Sequence, residues 1–218
     1  NNLANNCEGM GMPEKAEPLL LLASSIYEKA LGKGHPNYIK VSNNLASMYA
    51  ILGKYQKAEE LCLNSLEIKK KILGVKHPDY ASSLNRLALI YKETWQYEKA
   101  EPLFEEALEI RKKVLGEDHP DFASSLYNLA LLNRINGKLL KADSMIQRVI
   151  AIRKKLLGIN HPDYAAAISG LGFTRSLRGL HQEAEQLYLQ ALEIRKNSLG
   201  VKSPDYSSTL FDLAKLYS

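Results

Sequence analysis

Cysteine is scarce: Cys7 and Cys62 are the only two in 218 residues. They form no CxxC pair and no zinc-ligand spacing, so neither a disulfide framework nor a metal knuckle is indicated. Long hydrophobic runs are missing too. The longest candidate, Pro18 to Ala23, is far shorter than the roughly 20 apolar residues that cross a bilayer. The chain shows no initiator Met and no signal-peptide pattern. Neither sign of charge dominates. The net charge of +5 permits acidic partners without pointing to nucleic acid. The expectation from these absences is a cytoplasmic protein with no membrane segment. What remains is ordinary for a protein with a buried core: 45% hydrophobic and 24% charged residues.

The chain repeats itself. His-Pro occurs at His35, His77, His119 and His161, and Ser203-Pro204 follows in the same register. Each step is 42 residues, and the context repeats as HPNY, HPDY, HPDF, HPDY and SPDY. A second block recurs with the same period: LEIKKKILG, LEIRKKVLG, IAIRKKLLG and LEIRKNSLG. PEKAEPL at 13–19 matches YEKAEPL at 97–103, two periods later. The expected organisation is therefore one array over 1–218. It has a partial repeat 1–34, repeats 35–76, 77–118, 119–160 and 161–202, and a partial repeat 203–218. Neither end carries an evident polar cap, so the array reads as a piece of a longer protein.

One period predicts two helices. Leu84, Leu87, Ala88 and Tyr91 recur at helical spacing. His77-Pro78-Asp79 marks the entrance of this helix A: proline suits the first turn, and Asp79 suits the positive dipole end. Helix A runs to about Thr94. A second stripe, Tyr97, Ala100, Phe104, Ala107, Leu108 and Ile110, forms helix B. Arg111, Lys112 and Lys113 sit at its negative end, and Gly116 stops it. Pro102 falls near its first turn, where proline is tolerated. Ala88 and Ala107 allow close approach, and Leu84, Tyr91 and Phe104 fill the space between. A single hairpin cannot bury its apolar face, so hairpins must stack into an all-α, right-handed α-solenoid of antiparallel helix hairpins. Propeller blades share this period but need strand alternation and turn dipeptides, which are absent.

The pattern L-x-x-L-A-x-x-Y followed by A-x-x-x-F-x-x-A resembles the tetratricopeptide repeat (TPR). It is carried by Leu84, Leu87, Ala88, Tyr91, Ala100, Phe104 and Ala107. It recurs with Leu45, Ala46, Tyr49, Ala58 and Cys62, and with Leu126, Leu129, Ala130 and Ala142. A further copy has Ile168, Leu171, Gly172, Ala184, Tyr188 and Ala191. The usual unit has 34 residues, and the extra 8 lengthen helix B and add the connection before His-Pro. That variant looks like the kinesin light chain type of TPR. The resemblance implies a protein-interaction scaffold, since such arrays hold unrelated partners.

No motif carries catalytic chemistry. One histidine per repeat suggests a metal only superficially. Stacked hairpins put equivalent positions roughly 20 Å apart, at 8–10 Å per helix contact, and Ser203 replaces the fifth histidine as a good helix cap. His181 occupies the slot of Tyr55, Tyr97 and Leu139 and is expected to pack. Cys7 and Cys62 fall in the slots of Tyr91 and Phe104, both core positions. Gly32-Lys33-Gly34 lacks the downstream Lys-Ser/Thr of a phosphate loop. Glu105, Glu106 and Glu109 read as a solvated face. The basic tails Lys69–Lys71, Arg111–Lys113, Arg153–Lys155 and Arg195–Lys196 read chiefly as dipole compensation, or else as a positive ridge. That ridge lacks the aromatic residues that stack nucleic-acid bases. The expectation is a non-enzyme with no cofactor, no metal, no small-molecule substrate and no nucleic acid.

The expected working surface is the helix A face turned away from helix B, which lines the concave groove in TPR arrays. There the repeats diverge. The groove residues are Lys40, Asn43, Asn44 and Ser47 in one repeat, and Asn85, Arg86, Leu89 and Lys92 in the next. Tyr127, Asn128, Leu131 and Arg134 follow, then Ser169 and Phe173. A side-chain amide both donates and accepts, so it can pair with a peptide backbone of any sequence. In related TPRs asparagines at this place do so. The correspondence fits Asn2, Asn44 and Asn128, fails at Gly170, and changes chemistry at Arg86 and Asp212. The same asparagines could instead only join helices within the array. The groove turns from polar near Asn43 to apolar near Leu131 and Phe173, which suits a peptide or helix with one polar and one apolar portion. Two other readings stand beside this one: a sensor arm of a larger effector, such as a caspase-like protease or a nucleotide-binding switch, and an array that self-associates end to end.

Overall fold

The computed structural model describes residues 13–218. Asn1, Asn2 and Cys7 lie outside the described residues. The described residues form ten α-helices and no strand. They are α1 (Pro13–Leu31), α2 (Pro36–Ile51), α3 (Tyr55–Leu73), α4 (Pro78–Glu93), α5 (Tyr97–Leu115), α6 (Pro120–Ile135), α7 (Leu139–Leu157), α8 (Pro162–Leu177), α9 (His181–Leu199) and α10 (Pro204–Leu216). Helix A is thus 16 residues and helix B 19. Three- and four-residue connections complete the 42-residue period. This is the all-α hairpin-repeat architecture that the spacing predicts.

The helix starts follow from local chemistry. At α2, α4, α6 and α8 the preceding histidine is extended, and its Nδ1 accepts the backbone N–H two residues on, at 3.1–3.2 Å. Ser203 Oγ does the same for α10 at 3.2 Å. Each cap satisfies one of the donors that a helix N-terminus leaves unpaired. The histidine lone pair is therefore used in folding. Helix B ends at Gly74, Gly116, Gly158 and Gly200, all left-handed at φ 81–84°. Pro102 is the sixth residue of α5, deeper than the first-turn placement expected from sequence, and the helix continues through it. Pro102 and its α1 counterpart Pro18 are both exposed, so neither ring intrudes on the packed face.

The helices gather into two compact units, one ending at Ile110 and one starting at Arg111. In the first, α1, α2, α3 and α4 contact one another in sequence order. Tyr80, Ala81, Leu84 and Ala107 form a core there with Leu66, Leu103 and Ile110. In the second, α6 to α10 pack in order, and α6 with α8 and α8 with α10 also touch. Ala130, Ile146 and Leu171 form one core, and Tyr164, Ala165, Ile168, Ala191 and Ile194 another. The alanines of the repeat pattern, Ala88, Ala100 and Ala107, have no exposed surface, and neither has Phe104. Truncating such a phenylalanine costs about 3–5 kcal/mol. Cys62 fills the equivalent slot at 1% exposure, and burial raises its thiol pKa to about 11. It is a packing residue. His181, expected to pack, is exposed at the first position of α9.

Two polar registers tie hairpins together within the units. Residues 32 apart meet: Tyr49 donates to Glu17 at 3.0 Å, Tyr91 to Glu59 at 2.8 Å, and Tyr217 to Glu185 at 2.5 Å. At the same offset Arg175 pairs with the buried Asp143 at 3.4 Å, where Arg178 joins it. Residues 10 apart meet as well. Lys69, Arg111, Arg153 and Arg195 donate to the carbonyls of Asp79, Asp121, Asp163 and Asp205 at 2.7–3.0 Å. The leading residue of each basic tail is thus a staple onto the next helix A. Lys69, Arg111 and Arg195 are buried at 6–7% exposure, so they do not belong to a surface ridge.

Candidate partner-binding surface

In the first unit the expected residues lie on α2 and α4, but Ser47, Asn85, Leu89 and Lys92 do not line the cavity there. Lys40, Asn43, Asn44 and Arg86 line one cavity of about 510 Å³, together with Lys69 and Asp79. Its apolar lining is Ile39, Ile72 and Leu73. Lys40 is exposed and Asn43 half-buried. Part of this set also holds the helices together. The Arg86 guanidinium donates to Ser47 Oγ, which donates to the Asn43 carbonyl at 3.1 Å. Ser65 Oγ on α3 donates to Asn43 Oδ1 at 3.3 Å. Asn44 and Asn85 also have interactions of their own. Lys92 pairs with its neighbour Glu93 at 2.9 Å, and Leu89 is half-buried. Asn43 and Arg86 therefore join hairpins as well as lining the cavity, whereas Ser47 joins them without lining it.

In the second unit, Tyr127, Leu131 and Arg134 on α6 share a cavity of about 320 Å³ with Ser169 and Phe173 on α8. Asn128 is half-buried, has an interaction of its own and does not line this cavity. Ser169 is only 8% exposed. The Arg134 guanidinium lies over the Phe173 ring, 4.5 Å from its centroid. The Tyr127 hydroxyl crosses to α8 and donates to the Ala166 carbonyl at 3.1 Å. That crossing explains Gly170, where the asparagine pattern fails. A Cβ there would stand 2.5 Å from the Tyr127 hydroxyl oxygen, so a side chain at this position would have to displace that hydroxyl. Arg153 covers the Tyr127 ring at 4.9 Å. Burial raises the Tyr127 pKa and lowers that of Arg134.

The sequence reading missed the charged cavity residues Lys69, Asp79 and Arg195, and named Asp212 only as a departure from the asparagine pattern. Lys69 and Arg195 come from the ends of helix B, and Asp79 and Asp212 from the following helix A. One signal was available. The first basic position of the tail is Lys or Arg in all four copies, while the residue two further on changes to Asn197 in the last. A position held to a basic residue beside one that varies marks a structural partner.

Among the described residues no group of three or more His, Cys, Asp or Glu is placed to hold a metal ion. No described helix is long and apolar enough to cross a membrane. The tetratricopeptide repeat profile matches residues 39–113, 96–155, 121–197 and 163–218. No curated protein matches the chain. Among solved structures it is similar to a kinesin light chain-type protein of Podosopora anserina with nearly identical TPR-like repeats. The identity is 30%, over 93% of this chain and 95% of that one, with a TM-score of 0.72. A point variant of that protein gives 30% over 90% and 93%, with a TM-score of 0.74. BtubC (BKLC) of P. vanneervenii is 29% identical over 91% of this chain and 79% of that one, with a TM-score of 0.76. This chain belongs to the tetratricopeptide repeat family, in its 42-residue, kinesin light chain-like form.

Proposed function

We propose that this chain is a protein-interaction scaffold that holds a peptide or helix of its partner on the helix A surface. The reading rests on one observation. In each unit, several helix A residues that break the repeat (Lys40, Asn43, Asn44 and Arg86, then Tyr127, Leu131, Arg134 and Phe173) line one cavity, alongside the repeat-keeping Lys69, Asp79 and Arg195. The cavities pair an apolar wall with donors and acceptors, the usual composition of a recognition site. Lys40, Asn43 and Asn44 would engage the polar part of the partner, and Leu131, Arg134 and Phe173 the apolar part.

Site-specific photo-crosslinking tests this. A photoreactive residue replaces Lys40 or Leu131 on the helix A surface, or Leu189 on the exposed side of α9. The expected result is partner adducts from the first two positions and none from Leu189. Equal adducts from Leu189 would sink the assignment. Arg86 is left intact, because its bond to Ser47 is part of the fold.

A further inference from the structure

The cavity of the second unit holds two opposite charges that do not meet. Arg134 enters it from α6 and Asp212 from α10. Among the described residues, neither side chain makes a hydrogen bond or an ion pair, and Asp212 has only the longer-range attraction of Lys215, Arg134 and Arg195. The other polar groups of the cavity are largely spent. The Tyr127 hydroxyl is on Ala166, and Arg195 is on the Asp205 carbonyl and Thr209. Lys215, near Asp212, lies over the Phe211 ring at 4.3 Å. Arg134 is held in place by its stack on Phe173.

Both charges are partly desolvated. Burial lowers the Arg134 pKa and raises that of Asp212. A half-buried charge without a partner is costly, and an opposite charge with good geometry recovers that cost. Arg134 and Asp212 do not form a direct ion pair; the guanidinium instead lies over the Phe173 ring, 4.5 Å from its centroid. A purely acidic ligand would satisfy Arg134 and be repelled by Asp212. A purely basic ligand would do the reverse. Only a group with both signs satisfies the pair.

We propose that this cavity is a dipolar receptor for a partner peptide segment carrying an acidic side chain, seated on Arg134, and a nearby basic side chain, seated on Asp212. This rests on the helix A surface being the binding surface. The pair also sets polarity: reversing the peptide would place like charges together, which costs binding.

The test uses a blocked, alanine-based helical peptide with Glu and Lys one turn apart, beside its Glu-only and Lys-only counterparts. Binding is read from the amide chemical shifts of Ser169, Phe173 and Ser208 during titration. The mixed peptide should bind at least about tenfold tighter than either single-sign peptide, a gap of roughly 1.4 kcal/mol. Arg134→Gln and Asp212→Asn should each remove that advantage, with melting temperatures recorded to confirm folding. Equal binding of the Glu-only peptide, or an advantage that survives Asp212→Asn, would overturn the dipolar receptor. So would 5-aminovalerate shifting the same amides as strongly as the peptide, which would mark a small-molecule site. Shifts at Lys40 and Asn43 without shifts at Ser169 and Phe173 would overturn this proposal alone. No shift at either cavity, together with adducts from Leu189, would overturn the surface reading as well.

Discussion

The Lys69 ammonium lies 3.0 Å from the Asp79 carbonyl, ten residues along the chain. Arg111 does the same for Asp121 at 2.9 Å and adds a second bond to Ser125 Oγ at 2.7 Å. Lys69 has no such second bond, and Ser83 Oγ, the counterpart of Ser125, is buried without a partner. Lysine ends in a point charge, whereas arginine ends in a fork that reaches two acceptors. Lys69→Arg should therefore stabilise the fold by about 1 kcal/mol, the net worth of one hydrogen bond. Thermal unfolding measures this, and Ser83→Ala in the same chain should cancel the gain. Arg111→Ala should cost about 2–3 kcal/mol, because it removes two hydrogen bonds from a charged donor, one of them to the buried Ser125 hydroxyl.

Trp95 has φ 62°, the left-handed region, in the turn between α4 and α5. The same turn holds Gly53, Gly137 and Gly179 at φ 70–78°. A side chain costs roughly 1–2 kcal/mol in that conformation. Trp95 recovers little of it, being 79% exposed with only a tilted contact to Tyr97 at 6.0 Å. Trp95→Gly should raise the melting temperature. A lowered melting temperature would show that the Tyr97 contact outweighs the backbone strain.

The helix caps predict a residue-specific pattern. His161→Ala removes the acceptor for the Asp163 N–H and should cost about 1 kcal/mol. His161→Ser should be close to neutral, since Ser203 already caps α10 in that way. Denaturant midpoints of the two variants check this. Equal losses for both would refute the capping role.

Stability should fall at both ends of the pH scale through the tyrosine–glutamate register. Burial, then the bond to Glu59, raises the Tyr91 pKa to about 12, and Tyr49 rises likewise beside Glu17. Their contribution is complete below the unfolded value near 10 and is lost as pH rises through about 12. On the acid side, bonds from Lys54 and Tyr49 lower the Glu17 pKa. Its contribution is complete above the ordinary value near 4.5 and is lost as pH falls through the lower folded value. Melting curves across pH should show a flatter alkaline limb for Tyr49→Phe with Tyr91→Phe, and a flatter acid limb for Glu17→Gln.

Much of this protein is local and so can be read from the chain. The 42-residue period, the 3.6-residue spacing of Leu84, Leu87, Ala88 and Tyr91, the histidine caps and the glycine stops all act within a few residues. Each constrains backbone torsions or a neighbouring donor, so sequence distance equals physical distance. The helix boundaries and the core slots of Phe104 and Cys62 follow from these signals.

The assignment of polar residues could not be read that way. Lys69 and Arg111 sit among lysines that do face water, and only the approach of the next helix A buries them. Gly170 looks like a lost asparagine until Tyr127, 43 positions earlier, arrives over it from another helix. Asp212 becomes a cavity residue because α10 carries it up to Arg134 and Phe173. Sequence alone determined that hairpins form and repeat, because turn chemistry and apolar spacing are short-range. Tertiary structure decided which charges are spent on folding and which stay available for a partner, because that depends on which side chain from a neighbouring helix reaches them first.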